Sequence, residues 1–229
     1  MTADLSHVDA WVFDLDNTLY PSHCDLFAQI DVKMTEFVSQ TLSLPPLEAK
    51  ALQRKYFIEH GTTLSGLMTV NNVPPEHFLD YVHAIDLAPL DGLPELGTVI
   101  AKLPGKRYVF TNGSRKHAEN ITRKLKIDHL FDDMFDIVAA DYAPKPQVAA
   151  FDRFFERTGA DPRRAAMFED IAKNLLPAHQ RGMTTVLVKA GRHWGAHPEE
   201  PGQPAHVHHV IEDLGLFLGS IKVAPTVKP

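Results

Sequence analysis

The chain has 229 residues, of which 44% are apolar, and a formal net charge of -6. This length suits one large domain, or one domain that carries a substantial insertion, and it buries enough surface to fold without disulfides. The excess of acidic over basic residues argues against nucleic acid or an anionic membrane as the main partner. An anionic substrate would need a local positive site, because the overall charge does not attract it.

The amino-terminal residues and the cysteine content indicate a compartment. Cys24 is the only cysteine in the sequence, so no intramolecular disulfide can form, as is typical of a reducing environment. Residues 1–9 lack the positive charge and long apolar core of a signal peptide, and no apolar stretch reaches the length of a membrane span. We expect a cytoplasmic protein in which Cys24 is packed rather than reactive.

The first predicted strand ends at a cluster of oxygen-bearing side chains. The apolar run at residues 10–13 is followed by Asp14, Asp16 and Thr18. A short apolar run that stops at acids is typical of a buried strand ending at a site, and ligands bind beyond the carboxyl ends of parallel strands. Two acids and a hydroxyl suit a hard cation such as Mg²⁺. An Asx-turn that merely closes the strand explains these residues equally well.

A helical segment is predicted directly after this strand. Apolar residues recur at spacings of three and four between Leu26 and Leu42, which indicates an amphipathic helix. Two Pro-Pro pairs then mark the starts of further helices. The predicted helices lie at residues 26–42, from 46 to about 60, just after the turn at 61–67, and from 75 to 83.

This helical segment contains no strand-like run and interrupts an α/β pattern. We therefore predict that residues 21–90 form an inserted helical cap and that residues 1–20 and 91–229 form the core. Thr62 and Thr63, in the turn at the centre of the cap, are candidates for contact with a substrate. A turn that only joins two helices is an equally good explanation of these two residues.

Strands and helices alternate from residue 94 onwards, which predicts a doubly wound, mostly parallel α/β sheet. An Asp-Pro pair at 161–162 has the form of a helix start. The predicted strands are 107–110, 135–138, 165–168, 184–188 and 209–211, and the predicted helices are 95–103, one capped by Ser114, 148–158, 171–181 and 214–221.

Reactive polar residues follow three of the predicted strands. Besides Asp14 and Asp16, these are the Thr111-Asn112 pair and the Glu169-Asp170 pair, and Lys145 lies between two prolines. Parallel strands bring their carboxyl ends to one edge of the sheet. A helix cap, an acidic helix start or a surface lysine explains each of these sets when it is taken alone. The complete set predicts a site at the sheet edge.

This set of residues resembles the phosphatase members of the haloacid dehalogenase superfamily of hydrolases. Those proteins carry Asp-x-Asp-x-Thr after the first strand, Thr or Ser after the second, Lys before a later helix, and an acidic pair after a further strand. The motifs at Asp14-Leu15-Asp16-Asn17-Thr18, Thr111, Lys145 and Glu169-Asp170 match in order and spacing. The resemblance extends from residue 8 to about 188 and implies a Rossmann-like core with an inserted helical cap.

The resemblance also implies roles for the two aspartates and for a metal. Asp14 would be the nucleophile that forms an aspartyl-phosphate. Asp16 would protonate the leaving group and then deprotonate the attacking water. Mg²⁺ would be held by the Asp14 carboxylate, the main-chain carbonyl of Asp16 and the Asp170 carboxylate.

The remaining motif residues would bind phosphate or support the metal. Thr111, Asn112 and Lys145 would bind the phosphoryl oxygens. Glu169 would lie behind the metal ligands. Asn174, one helical turn after Asp170, would face the same site as a hydrogen-bonding residue.

Three segments narrow the resemblance to the pyrimidine 5′-nucleotidase branch of the superfamily. They are residues 13–21, 60–67 and 110–113. This narrower resemblance implies that the substrate is a small phosphorylated metabolite, with a nucleoside 5′-monophosphate as the best candidate.

Three other activities remain open at this stage. A dehalogenase uses the first aspartate but needs no acid at Asp16, because a halide leaves without a proton. A sugar phosphomutase keeps both acids. A phospho-acceptor module of the response-regulator type also has acids and a lysine at strand ends, but it lacks a helical insertion.

The histidine-rich segment at residues 193–209 is the remaining candidate. Its histidines are His193, His197, His206, His208 and His209. Their spacing matches no common zinc pattern, so we expect a solvated loop, within which Trp194 either touches substrate or covers the surface.

Overall fold

A computed structural model describes residues 2–93, 96–189 and 204–225. Its described residues form six strands and nine α-helices. The strands are β1 (Ala10–Phe13), β2 (Lys106–Phe110), β3 (Asp133–Phe135), β4 (Ala165–Glu169), β5 (Thr184–Val188) and β6 (His209–Ile211). The helices are α1 (Leu26–Leu42), α2 (Pro46–His60), α3 (Thr63–Asn71), α4 (Pro75–Val82), α5 (Gly97–Ile100), α6 (Arg115–Lys124), α7 (Val148–Thr158), α8 (Ala172–Gln180) and α9 (Leu214–Ser220).

The six strands form one sheet in the order β3-β2-β1-β4-β5-β6, and every neighbouring pair is parallel. The predicted doubly wound α/β fold is therefore confirmed. The first strand lies near the centre, where Phe13 is in register with Val109 of β2 and Phe168 of β4. Consequently the residues that follow β1, β2 and β4 come together at one edge.

Helices cover both faces of the sheet, which explains why β1 is apolar at every position. Successive side chains of a strand point to opposite faces. Trp11 and Phe13 pack in a core that includes Ile121 of α6. Val12 packs on the other face in a core that includes Phe151 of α7.

The segment between β1 and β2 is helical, as predicted, and we call helices α1–α4 the helical insertion. It has a core of its own, in which the Phe37 and Phe78 rings meet edge to face with centroids 5.3 Å apart. Among the described residues from 21 to 90 there is no β-strand. The start of α3 is fixed by Thr62, whose hydroxyl accepts a hydrogen bond from the Ser65 amide.

Three predicted elements differ from the structure. The strand predicted at 135–138 is instead β3 at Asp133–Phe135, because the Asp136 carboxylate accepts hydrogen bonds from the amides of Arg115 and Ala139 and turns the chain. The helix predicted at 95–103 is α5, only Gly97–Ile100, with residues 94–95 outside the described part. The Asp-Pro pair at 161–162 begins a short 3-10 turn rather than an α-helix.

Cys24 is buried, as predicted. None of the helices in the described parts of the chain is long and apolar enough to cross a membrane. Two histidines of the His-rich segment form hydrogen bonds with other parts of the chain. His206 Nε2 lies 2.8 Å from the Ala172 carbonyl, and His208 Nδ1 lies 2.8 Å from the Thr185 hydroxyl. The predictions for His193, Trp194 and His197 fall outside the described residues.

Candidate active site

The sheet positions the candidate residues by continuing its hydrogen bonds past the strand ends. The Asp14 amide donates to the Phe168 carbonyl at 2.9 Å, and the Thr111 amide donates to the Phe135 carbonyl at 3.0 Å. The sheet therefore fixes the main chain of both residues, and their side chains extend from it into the site. Asp14 and Thr111 are buried.

Lys145 joins the strand ends into one cluster. Its side chain is almost fully buried, and Nζ donates to Asp14 Oδ1 at 2.7 Å, to Glu169 Oε2 at 2.6 Å and to the Phe110 carbonyl at 2.7 Å. These three bonds use all the donors of an ammonium group. The lysine is thus fixed at the point where the three strands end.

Burial and neighbouring charges shift the pKa values of the acids and the lysine in this cluster. Burial, together with the charge of Glu169, raises the pKa of Asp14 to about 7. Burial likewise raises the pKa of Glu169 to about 7, although Lys145 acts in the opposite direction. The two carboxylates raise the pKa of Lys145, against the effect of its burial. The cluster holds more buried negative charge than one ammonium group neutralises.

The same cluster has the oxygen ligands that Mg²⁺ prefers. One carboxylate oxygen from each of Asp14, Glu169 and Asp170 lies within 4.8 Å of the others. Asn17 holds Asp170 in place by donating from Nδ2 to Oδ2 at 3.3 Å. Three acids around one lysine leave an excess of negative charge, which a divalent cation would neutralise. The residues therefore fit a magnesium ion, and the Glu169 carboxylate lies beside the two carboxylates predicted to bind it.

We expect Mg²⁺ to stabilise the folded protein. A ligand that binds only the folded state at a hundred times its dissociation constant contributes about 2.7 kcal/mol, which corresponds to a melting shift of about 5 to 10 °C in a protein of this size. Thermal unfolding with and without Mg²⁺ measures this shift, and Asp170→Asn should remove most of it. An equal shift in wild type and Asp170→Asn would contradict the assignment of the metal ligand.

Asn112 supports Lys145 through its backbone. The Asn112 side chain donates to the Lys145 carbonyl at 3.2 Å and accepts from the Lys145 amide at 2.7 Å. Thr111 Oγ1 accepts a hydrogen bond from the Gly113 amide at 2.9 Å. The amide group of Asn112 is therefore committed to holding the lysine segment, and the Thr111 hydroxyl remains a donor for a ligand.

Asp16 has two partners that the sequence analysis missed. The Tyr20 hydroxyl donates to Asp16 Oδ1 at 2.6 Å, and His117 Nε2 lies 2.9 Å from the same oxygen. Burial would raise the pKa of Asp16, but the charge and hydrogen bond of His117 outweigh it and lower this pKa. The available signals were a tyrosine four residues after Asp16 and a histidine three residues after the Ser114 cap.

The cluster opens into a cavity of about 340 Å³ between the sheet edge and the helical insertion. The insertion contributes mainly apolar side chains to its wall, including Phe27, Phe57 and Leu64. Asn174 and both candidate threonines also line it. The wall residues that sequence analysis had singled out are Asp14, Asp16, Thr62, Thr63, Thr111, Asn112, Lys145, Glu169, Asp170 and Asn174.

The two threonines already have internal partners. The Thr63 hydroxyl donates to the Gln53 carbonyl at 3.3 Å, and the Thr62 hydroxyl lies 2.8 Å from that of Ser65. Both bonds stabilise the junction of α2 and α3. A direct contact of either residue with substrate stays a prediction.

The chain matches the family model of haloacid dehalogenase-like hydrolases over residues 8–182. It belongs to this family. The match spans the region that contains all four motifs. The pyrimidine nucleotidase branch remains a resemblance.

The chain is similar to three proteins that are named for different activities. Phosphate metabolism protein 8 of Saccharomyces cerevisiae is 26% identical over 197 residues, which cover 76% of this chain but only 60% of the yeast protein. The HAD phosphatase of Thermococcus onnurineus is 18% identical, with a TM-score of 0.59 and coverage of 94% of this chain and 100% of its own. A dehalogenase solved as an intermediate complex is 16% identical, with a TM-score of 0.55 and coverage of 94% and 98%. The shared fold therefore leaves the reaction to be argued from the site.

Proposed function

We propose that the protein is a Mg²⁺-dependent phosphatase that hydrolyses small phosphomonoesters through an aspartyl-phosphate on Asp14. The observation that carries this proposal is the buried cluster in which Lys145 lies 2.7 Å from Asp14 beneath a cavity. A phosphoryl group is strongly anionic, so catalysis depends on neutralising and positioning it. The cluster supplies a nucleophile, a fixed cation and carboxylates for a metal.

The proposed reaction has two steps. In the first, an Asp14 carboxylate oxygen bonds to phosphorus, the bond from phosphorus to the ester oxygen breaks, and Asp16 gives a proton to that oxygen. In the second, Asp16 takes a proton from a water molecule that attacks phosphorus, and the Asp14 carboxylate is released with phosphate. Asp16 starts ionised here, and the negative charge of a bound phosphate ester favours its protonation.

The other residues lower the charge of the transferring group. Lys145 would exchange one of its three internal hydrogen bonds for a phosphoryl oxygen, and the Thr111 hydroxyl would donate to another. Asn112 would keep Lys145 in place through its backbone. Mg²⁺, when bound by Asp14, Asp170 and the Asp16 carbonyl with Glu169 behind them, would neutralise negative charge on the phosphoryl oxygens. Asn174, which lines the same cavity, would donate a further hydrogen bond to the phosphoryl group.

We infer a nucleoside 5′-monophosphate as the substrate, with residues 21–90 acting as a cap over residues 1–20 and 91–229. A volume of about 340 Å³ is at the small end of metabolite pockets. The apolar wall supplied by the helical insertion suits the flat face of a base, while the phosphate would lie at Lys145. Closure of such a cap would exclude water from the site. A cytoplasmic location remains a prediction from the sequence.

The test is phosphate release from a panel of nucleoside 5′- and 3′-monophosphates and sugar phosphates, with Mg²⁺ and with EDTA. We expect release only with Mg²⁺, and faster release from 5′- than from 3′-monophosphates. Release from sugar phosphates alone would contradict the nucleotide substrate but not the phosphatase. No release from any phosphomonoester by folded, Mg²⁺-loaded protein would contradict the phosphatase itself.

A dehalogenase is the second candidate, since a dehalogenase shares the fold. The position of Asp16 favours phosphoryl transfer, because a halide leaves without a proton whereas an alkoxide needs one. Halide release from short haloacids, measured beside the phosphate panel, separates the two reactions. We expect none above background.

A further inference from the structure

Both hydrogen bonds that reach the Asp16 carboxyl from described residues end on one oxygen. The Tyr20 hydroxyl and the His117 ring nitrogen meet at Oδ1, at 2.6 Å and 2.9 Å. Tyr20 and His117 are each about 1% exposed, so both side chains are enclosed by protein rather than by water. Two donors on Oδ1 fix the plane of the carboxyl and leave Oδ2 as the oxygen that exchanges a proton.

The helical insertion holds the His117 ring from the other side. His83, at the end of α4, stacks on His117 with ring centroids 4.2 Å apart and planes 11° from parallel. His83 Nδ1 lies 3.0 Å from Ser114 Oγ, and the same oxygen accepts a hydrogen bond from the His117 amide. Burial and the neighbouring His117 lower the pKa of His83 to about 3, so its ring is neutral and stacks without charge repulsion.

We propose that His117 is a positioning residue that aims the Asp16 carboxyl for proton transfer, and that His83 of the helical insertion holds His117 in place. The inference rests on the proposed phosphatase mechanism. A displacement of about 1 Å can cost a positioned group about a hundredfold in rate. The stack therefore links the placement of the insertion to the group that protonates the leaving alkoxide.

The test compares two substrates that differ in their need for a proton. An alkyl phosphate releases a strongly basic alkoxide, whereas p-nitrophenyl phosphate releases a stable phenolate. Because kcat/KM reports the step that expels the leaving group, we expect His117→Leu to lower it about 10- to 100-fold for the alkyl ester, within the range of general acid catalysis. The loss for p-nitrophenyl phosphate should stay within about threefold, on the same reasoning. His117→Gln, which keeps a donor near Nε2, should restore part of the difference.

A double-mutant cycle shows whether the effect passes through Asp16. Once Asp16→Asn is present, His117→Leu should cause little further loss, because coupled residues are not additive. Tyr20→Phe removes the second donor with little change of shape and should produce the same selectivity, so it serves if His117→Leu does not fold. Equal losses for both substrates, or additive losses in the cycle, would overturn the proposal.

Two surface histidines provide matched controls. His83→Ala should shift the substrate selectivity in the same direction as His117→Leu, but less. His77 is exposed on α4, the helix that ends beside His83. His129 is exposed between α6 and β3, outside the helical insertion. His77→Ala and His129→Leu should leave both substrates unaffected. A selectivity change in either control as large as that of His83→Ala would overturn the link through the stack.

Crystal structures test the positioning role of His117 even if the proposed function fails. If wild type hydrolyses neither ester, the phosphatase proposal fails, but the Asp16 side chain can still be compared in wild type and His117→Leu. A carboxyl that rotates or becomes disordered in the variant supports positioning by His117. A carboxyl that keeps its position and its bond to Tyr20 overturns it.

Discussion

Asp14→Asn is expected to lower phosphatase turnover by about 10⁴-fold or more, the scale of losses when a nucleophile is removed. An amide has nearly the same shape as the carboxylate, and its oxygen can still accept the hydrogen bond from Lys145. It cannot form the bond to phosphorus that the proposed first step requires. The measurement is phosphate release by the purified variant at saturating Mg²⁺.

Thermal unfolding is the necessary control for this variant. Burial and the charge of Glu169 disfavour the ionised form of Asp14, as its pKa of about 7 indicates. A neutral amide removes that repulsion, so we expect the melting temperature of metal-free Asp14→Asn to equal or exceed that of wild type. Turnover within tenfold of wild type, in a folded sample, would show that Asp14 is not the nucleophile.

Lys145→Met is expected to cost more stability than any other single change at the site. Removing one partner of a buried ion pair leaves uncompensated charge and costs about 3 to 5 kcal/mol, which is a fall of about 6 to 20 °C in melting temperature for a chain of this length. Here the remaining partners are two buried carboxylates, Asp14 and Glu169. Turnover should fall as well, since the cation that faces the phosphoryl group is gone.

The pH dependence of this loss provides a sharper test. Asp14 and Glu169 have raised pKa values of about 7 in the folded state, so folding takes up protons between their unfolded values near 4 and pH 7. Stability from this pair therefore falls as the pH rises through that window. Removing the positive charge of Lys145 raises both of these pKa values further. In EDTA, the stability that Lys145→Met loses relative to wild type should therefore be large at pH 8 and small at pH 5.

A surface lysine shows what an ordinary Lys→Met change does. Lys222 is exposed and pairs with Asp4, so Lys222→Met should change stability by no more than about 1 kcal/mol. A Lys145→Met deficit that equals this control, or that does not shrink at low pH, would contradict the buried cluster.

The sequence was most informative where hydrophobic patterning decides the structure. Strand β1 is apolar at four consecutive positions and lies between two cores, so its position and its polar end were predictable. Helix α7 was predicted at its observed bounds because its apolar stripe and its ends agree. The carboxyl ends of parallel strands then placed Asp14, Thr111 and Glu169 at one edge.

Predictions failed where side chains bond to the backbone from a distance. Asp136 ends β3 early because its carboxylate bonds to amides outside the strand, and an apolar run gives no sign of such bonds. The partners of Asp16 were missed for a similar reason. The His117 ring reaches Asp16 only because α6 packs beside β1, and His83 reaches His117 only because the helical insertion folds over that edge.

Trapping the covalent intermediate tests the central claim most directly. Wild type and Asp16→Asn would be mixed with p-nitrophenyl phosphate and Mg²⁺, quenched in acid, digested and examined by mass spectrometry. We expect one phosphoryl group on Asp14, more of it in Asp16→Asn because its breakdown lacks the base, and none in EDTA or in Asp14→Asn. Hydrolysis by wild type with no phosphorylated Asp14 in either quenched sample, or with the phosphoryl group on another residue, would contradict the account.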